Sequence, residues 1–312
     1  MFDYSFHILS KHVPWVLGGI VREVIPFSPG NVYINEHLSL KRELITRPRV
    51  GRKNLEIGNV NILIHHQIIE KLPKDILKRE NCRNRILLTH FDPVNIIPSQ
   101  LFKHLSDFER ILVQNTDVKN QLLNSGAVNS NTKIEVWYGA VDRSVYYPSN
   151  LGGKDFVLIV GDCKPRKNPR LVSEVVAKNP DLNFVIHGKG WSNDRTIQET
   201  LKLNNLRIIP FSLQSNPVLM RNAGLLLSLS SLEGGPFPVI ESLASGTPVV
   251  ATKTGFCDEI ITPDRGHTVS LESGADSISL AIKETLGKFR NKRNVDLLNG
   301  QLTWEELAHK IF

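Results

Sequence analysis

Three cysteines in 312 residues, Cys82, Cys163 and Cys257, stand far apart and share no metal-ligand spacing. That scarcity argues against a disulfide framework or a structural zinc site and points to a reducing, cytoplasmic setting. No apolar run approaches the ~20 residues that a bilayer span needs. Met1-Phe2-Asp3-Tyr4 has neither the basic region nor the apolar core of a secretory signal. The chain also lacks a Gly-x-Gly-x-x-Gly dinucleotide fingerprint, and no Asp-x-Asp pair is present to hold a metal between phosphates. Nucleic-acid modules, solenoid repeats and low-complexity tracts are missing too, so nucleic acid is not an expected partner.

What remains is ordinary soluble composition, 41% hydrophobic and 22% charged, in a chain long enough for two α/β cores. The formal charge of +7 suits an anionic partner such as a nucleotide diphosphate, a phospholipid surface or an acidic glycan. Lys41, Arg42, Arg47, Arg49, Arg52 and Lys53 cluster with only Glu43 opposing them. Such a run is commonly a solvated face; its functional reading is a docking surface for an anionic acceptor or a peripheral membrane contact.

Short apolar runs alternate with helical stretches. In the second half they are Phe156 to Gly161, Phe184 to Ile186, Leu206 to Ile209, Leu225 to Leu229 and Thr247 to Val250. Alternation of this kind predicts parallel, doubly wound sheets. Pro148-Ser149-Asn150-Leu151-Gly152-Gly153 has linker composition, which places a domain boundary at 150/151 and gives domains 1–150 and 151–312. In the first half, Gly18-Gly19 reads as a glycine turn opening a short helix, and strands are expected at 2–9, 59–65, 85–92 and 110–113.

The most informative stretch runs from Ser230 to Thr252. A strand ends at Leu229, Gly234-Gly235-Pro236 breaks the chain, a helix carries Val239, Ile240, Leu243 and Ala244, and Gly246 stops it before Pro248-Val249-Val250. Glu233 then lies at a strand's carboxyl end, and Glu241, eight positions on, lies in the helix behind it. A second constellation, Gly161-Asp162-Cys163-Lys164-Pro165-Arg166-Lys167, puts cations just past a strand, as an anion site requires.

This pattern resembles the retaining GT-B glycosyltransferases, closest to family 4 and its relatives (glycosyl transferases group 1), well through the second domain and in outline through the first. The resemblance implies an α/β fold of two Rossmann-like, doubly wound domains facing across a cleft. The N-terminal domain would be the acceptor side and the C-terminal domain would bind nucleotide sugar. It implies a cytoplasmic, metal-independent enzyme of polysaccharide biosynthesis, moving a sugar from a nucleotide diphosphate sugar to a glycan or lipid-linked acceptor with retention and no further cofactor. Glu233 would hold the donor sugar, Lys167 with Arg166 or Lys164 the diphosphate, and Glu241 the ribose. His90 would contact the sugar from the first domain. Gly188 and Gly190 would turn near the base, Gly234, Gly235 and Phe237 would shape the loop, and Gly18 and Gly19 would line the cleft. The family usually carries arginine directly after the first glycine, where this chain has Asp162; that carboxylate has to be turned away or neutralised by Lys164 and Arg166. Pro236 removes a backbone donor from the carboxylate loop. The alternatives are a nucleotide-sugar epimerase or inverting transferase on the same fold, or a catalytically silent sugar-nucleotide-binding protein.

Overall fold

The computed structural model describes residues 2–9, 16–37, 57–73, 75–88, 97–149, 156–290 and 295–312. His90 and the Lys41–Lys53 run lie outside the described residues. The chain forms two compact units, one of Met1–Tyr138 with Trp304–Phe312 and one of Gly139–Thr303. The division thus falls ahead of the linker composition at 150/151, and the last helix belongs to the first unit.

The first unit contains β1 (Tyr4–Leu9), α1 (Val16–Val24), β2 (Val32–His37), β3 (Val60–Ile64), β4 (Arg83–Leu87), α2 (Ser99–Phe102), β5 (Arg110–Val113), α3 (Thr116–Asn124) and β6 (Lys133–Val136). The second contains β7 (Phe156–Val160), α4 (Pro169–Lys178), β8 (Asn183–His187), α5 (Arg195–Thr200), β9 (Leu206–Ile209), α6 (Ser215–Asn222), β10 (Leu225–Ser228), α7 (Phe237–Ala244), β11 (Val249–Thr252), α8 (Cys257–Ile260), β12 (Gly266–Val269) and α9 (Ala275–Phe289); α10 (Trp304–Ile311) then returns to the first. Each sheet is six-stranded, with order β2-β1-β3-β4-β5-β6 in one and β12-β11-β10-β7-β8-β9 in the other. All the pairings are parallel. β3, β10 and β11 are almost wholly buried apolar runs, as strands covered on both faces must be.

Unmet carbonyls at the end of α10 fix it to the first sheet. The buried Arg85 of β4 donates from Nη1 to the oxygens of Ile311 and Phe312 at 2.7 and 2.6 Å. Lys310 reaches the Val136 carbonyl at 2.8 Å, and the Phe312 ring meets Tyr4 edge-on.

β1 alternates Ser5 and His7 with Phe6 and Ile8, and every one of these is buried. A strand sends alternate side chains to opposite faces, so one face of this sheet is polar inside. Its polar groups form a relay across four neighbouring strands. His37 lies 3.1 Å from His7 Nδ1, His7 Nε2 lies 3.3 Å from Asn61 Oδ1, and Asn61 donates to Asn84 at 3.0 Å. Asn84 ends it by donating to the Leu77 and Asp107 carbonyls. Those fixed acceptors set the direction as far as His7, whose Nε2 donates to Asn61 Oδ1, while His37 also bonds the Lys71 backbone. Burial, and then the neighbouring His37, push the His7 imidazole down to about 4, and burial pushes His37 down as well.

The unfolded chain takes up the His7 proton first as pH falls, because its imidazole has the ordinary value near 6.5. The contribution is full above about pH 6.5 and is lost toward pH 4, by about 3 kcal/mol. Amide exchange in β1 and β3, corrected for intrinsic rates, is expected to lose protection over that window, and His7→Gln should flatten the dependence. A pH-independent protection profile in the wild type would contradict this.

Candidate functional site

In the second sheet the chain winds outward from β7 through β8 to β9, then restarts at β10 on the other side of β7. The connections that follow β7 and β10 therefore lead to opposite sides of the sheet. Such a switch point leaves the crevice where open α/β sheets take ligands. The two loops that meet here are Gly161–Asn168 and Leu229–Pro236.

They are tied together by backbone and side chain. Ser231 N–H donates to the Arg166 carbonyl at 2.7 Å, and Asn168 Nδ2 donates to the Leu229 carbonyl at 2.9 Å. Gly161 sits at φ +121°, and a Cβ there would lie 3.2 Å from Lys167 Cε, so the lysine stem crosses where only glycine leaves room. Lys167 Nζ then reaches Glu233 Oε1 at 2.7 Å. Arg166 Nη1 donates to the same oxygen, and Ser230 Oγ to it at 2.9 Å. Burial pushes the Glu233 carboxyl up, but the charges of Lys167 and Arg166 and the hydrogen bonds from Lys167 and Ser230 more than reverse this. The group ends below the usual carboxylate range. Glu233 and Lys167 side chains are only 10% and 13% exposed, so water screens the pair weakly. Before any ligand arrives, the two cations hold the carboxylate.

Asp162 is not neutralised by Lys164 or Arg166. Its Oδ1 accepts the Lys189 backbone N–H at 3.0 Å, stapling the β7 turn to the β8 turn. Cys163 N donates to the Lys189 carbonyl and Trp191 Nε1 to the Gly161 carbonyl, at 2.8 and 2.7 Å. Gly188 is pressed into this seam, where a Cβ would come within 1.9 Å of the Gly161 carbonyl oxygen. His187, just before it, is fully buried with its ring 5.0 Å from Phe211.

Glu241, on α7, has a different environment. Its Oε2 accepts from Asn216 Nδ2 at 3.2 Å, and the Tyr146 hydroxyl bonds the same carboxyl. Withdrawal from water pushes it up to about 7, with the bonds from Asn216 and Tyr146 pulling the other way. Burial and the nearby Glu241 charge push Tyr146 upward too. Cys257 opens α8, and burial followed by the Glu233 charge pushes its thiol up to about 12, which leaves it without nucleophilic character near pH 7.

Of the residues expected from sequence, Glu233, Lys167 and Arg166 come together, with Gly234 and Gly235 in the following loop and Phe237 opening α7. Lys164 is exposed and Gly190 closes the β8 turn. Gly18 and Gly19 are not a turn before a helix: both lie in the first turn of α1, in the first unit. Sequence reading missed Ser230, Asn216, Tyr146 and Trp191. Ser230 follows the strand three residues before Glu233, a spacing that could have signalled it. In the first unit, a pocket of about 350 Å3 sits beyond the carboxyl ends of β1 and β3, the switch point of that sheet. Leu9, His66, Gln67, Glu70, Lys71 and Gln100 line it with Pro98 and Ser99. Among the described residues no group of three His, Cys, Asp or Glu side chains gathers as a metal centre, and no helix is long and apolar enough to cross a membrane.

Residues 148–294 match the family Glycosyl transferases group 1. The matched segment holds Glu233, Glu241, Arg166 and Lys167. A relative from Methanocaldococcus jannaschii, an uncharacterized glycosyltransferase, is 25% identical over 229 residues, covering 70% of this chain. The chain spans 63% of that relative's length. Two solved structures cover nearly the whole chain. Sucrose-phosphate synthase from Thermosynechococcus elongatus has a TM-score of 0.72 at 13% identity, over 99% of this chain and 97% of its own. Anabaena HepE in complex with UDP-glucose has a TM-score of 0.73 at 14% identity, over 100% and 98%. These likenesses show the fold, the α/β GT-B arrangement of two Rossmann-like domains.

The shared Glu233 oxygen generates a test. Glu233→Gln removes the charge that Arg166 and Lys167 hold, and a unit charge at 4 Å is worth about 1–4 kcal/mol between water and protein-surface dielectrics. Inorganic pyrophosphate should therefore bind the variant about tenfold more tightly than wild type by calorimetry. Equal or weaker binding would mean that these cations do not form an anion site.

Proposed function

We propose that the protein is a glycosyltransferase that moves a sugar from a nucleotide diphosphate sugar to a hydroxyl acceptor with retention at the anomeric carbon. The observation that carries this is the convergence of Lys167 and Arg166 on Glu233 at the β7/β10 switch point. A diphosphate entering there meets two cations already gathered, while Glu233 sits where donor-sugar hydroxyls would need an acceptor. In the reaction, the bond between the anomeric carbon and the terminal diphosphate oxygen breaks as the acceptor oxygen bonds the same face. The acceptor proton passes to the departing diphosphate. Negative charge peaks on that diphosphate in the transition state, so Lys167 and Arg166 act most strongly there. No separate base is required, and the cations stand where a metal would otherwise be needed.

Glu241 is the proposed ribose residue, and the turn with Gly188 and Gly190 the base side. His90 and the Lys41–Lys53 run keep their proposed roles toward donor sugar and anionic acceptor or membrane. Polar side chains around the first-unit pocket suit a hydroxylated acceptor. Asp162 has a structural task in the turn, which favours an active enzyme over a silent binding protein. A cytoplasmic location, with peripheral membrane contact, fits this chemistry.

The experiment is a turnover screen of nucleotide diphosphate sugars with the pure protein, reading nucleotide release and product anomer by NMR. Release should persist under exhaustive chelation. Lys167→Ala should lower kcat by about ten- to a hundredfold, the range for a hydrogen bond to a charged group of about 1.5–3 kcal/mol, with a smaller change in donor affinity. Undiminished kcat would move the diphosphate elsewhere, an inverted anomer would remove the retaining assignment, and an absolute need for Mg²⁺ would remove metal independence.

A further inference from the structure

The two carboxylates of the 148–294 segment are held by opposite means. Glu233 has cations; Glu241 has only neutral donors. Asn216, 2% exposed, sits at the start of α6 and spends its Nδ2 twice, on Tyr146 Oη at 2.9 Å and on Glu241 Oε2 at 3.2 Å. Its Oδ1 is enclosed with no donor in reach. The amide orientation is therefore set by Tyr146 and Glu241 alone, and the unmet Oδ1 is a cost the chain carries at this point. Tyr146 comes from the segment that precedes the linker and completes a three-membered cluster from three separate pieces of chain. Facing Glu241 are Asn216 from α6 and Tyr146 from the 139–149 segment, with Asp142 acting on the tyrosine. Among the described residues no lysine, arginine or histidine compensates the carboxylate.

We infer that Asn216 and Tyr146 are positioning residues that orient the Glu241 carboxylate, in its ionised form, toward the cis-diol of a bound nucleotide. This rests on the reading of Glu241 as the ribose residue. A carboxylate out of water and without a cation stays ionised only through its hydrogen bonds, and the ionised form is the stronger acceptor for the two ribose hydroxyls. Its upward displacement to about 7 agrees with that balance. Protonation then competes with the diol: affinity falls about tenfold per pH unit below about 7 and levels off above it. Removing either neutral donor moves the midpoint upward.

The test uses UDP, GDP and ADP, taking whichever binds most tightly, together with its 2′-deoxy analogue, from pH 5.5 to 9. Tyr146→Phe removes one hydroxyl with the least disturbance; Asn216→Ala is the stronger change. Each should weaken the ribonucleotide about tenfold or more at pH 7, affect the deoxy analogue much less, and recover toward pH 9. A ¹³C titration of the Glu241 carboxyl should show the midpoint raised in both variants. Equal loss for both nucleotides at every pH, or an unmoved midpoint, would overturn the positioning role while leaving the nucleotide site intact. If no nucleoside diphosphate binds wild type at any pH, the site reading fails and takes this inference with it.

Discussion

A single oxygen, Oε1 of Glu233, receives Lys167, Arg166 and Ser230, and the neighbouring architecture is what makes that possible. Strand order puts the ends of β7 and β10 side by side. Gly161 lets the lysine stem cross, and Asn168, at φ +50°, turns the chain into α4 while its amide anchors on Leu229. Remove the carboxylate and two cations are left close together, with Lys167 shielded from water and Arg166 partly exposed. An anionic ligand relieves the same repulsion, which is why the arrangement is both a structural tie and a receptive site.

Eight residues on, the second carboxylate is built on a contrary plan. Burial without a cation raises Glu241 toward neutrality, while cations hold Glu233 well into its charged form. Environments that push two neighbouring acids apart assign them separate tasks. In the proposed transferase the permanently charged one shares the space of the sugar and diphosphate, and the titratable one meets neutral hydroxyls. Asp162 illustrates the same economy of position. Its charge, awkward beside a diphosphate, is taken up by the Lys189 amide as part of the turn.

Strands buried on both faces were legible because their sequences are apolar; β7 and β10 were read close to their observed limits, and the edge strand β9 was read because Leu206, Ile208 and Ile209 keep it largely apolar. β2, β6 and β12 were not read, and all three are sheet edges. An edge strand such as Val32–His37, Val-Tyr-Ile-Asn-Glu-His, exposes part of its surface and so lacks a continuous apolar signature. Glu233 and Lys167, which the structure pairs, stand at motif spacings that can be read along the chain. Asn216 and Tyr146 do not, because their proximity to Glu241 depends on three segments meeting in space. Gly18-Gly19 was misread because flexibility suggested a turn, whereas the structure carries both residues within helical geometry. The linker composition at 148–153 and the division into compact units fall at different places, because Gly139 to Ser149 packs with the second unit.

The most direct measurement is a crystal structure of the protein with its nucleotide diphosphate sugar. The account predicts terminal-phosphate oxygens within hydrogen-bond distance of Lys167 Nζ, ribose hydroxyls on Glu241, and Glu233 turned to the sugar. A diphosphate bound away from the β7/β10 switch point, with the Glu233–Lys167–Arg166 cluster undisturbed, would contradict it.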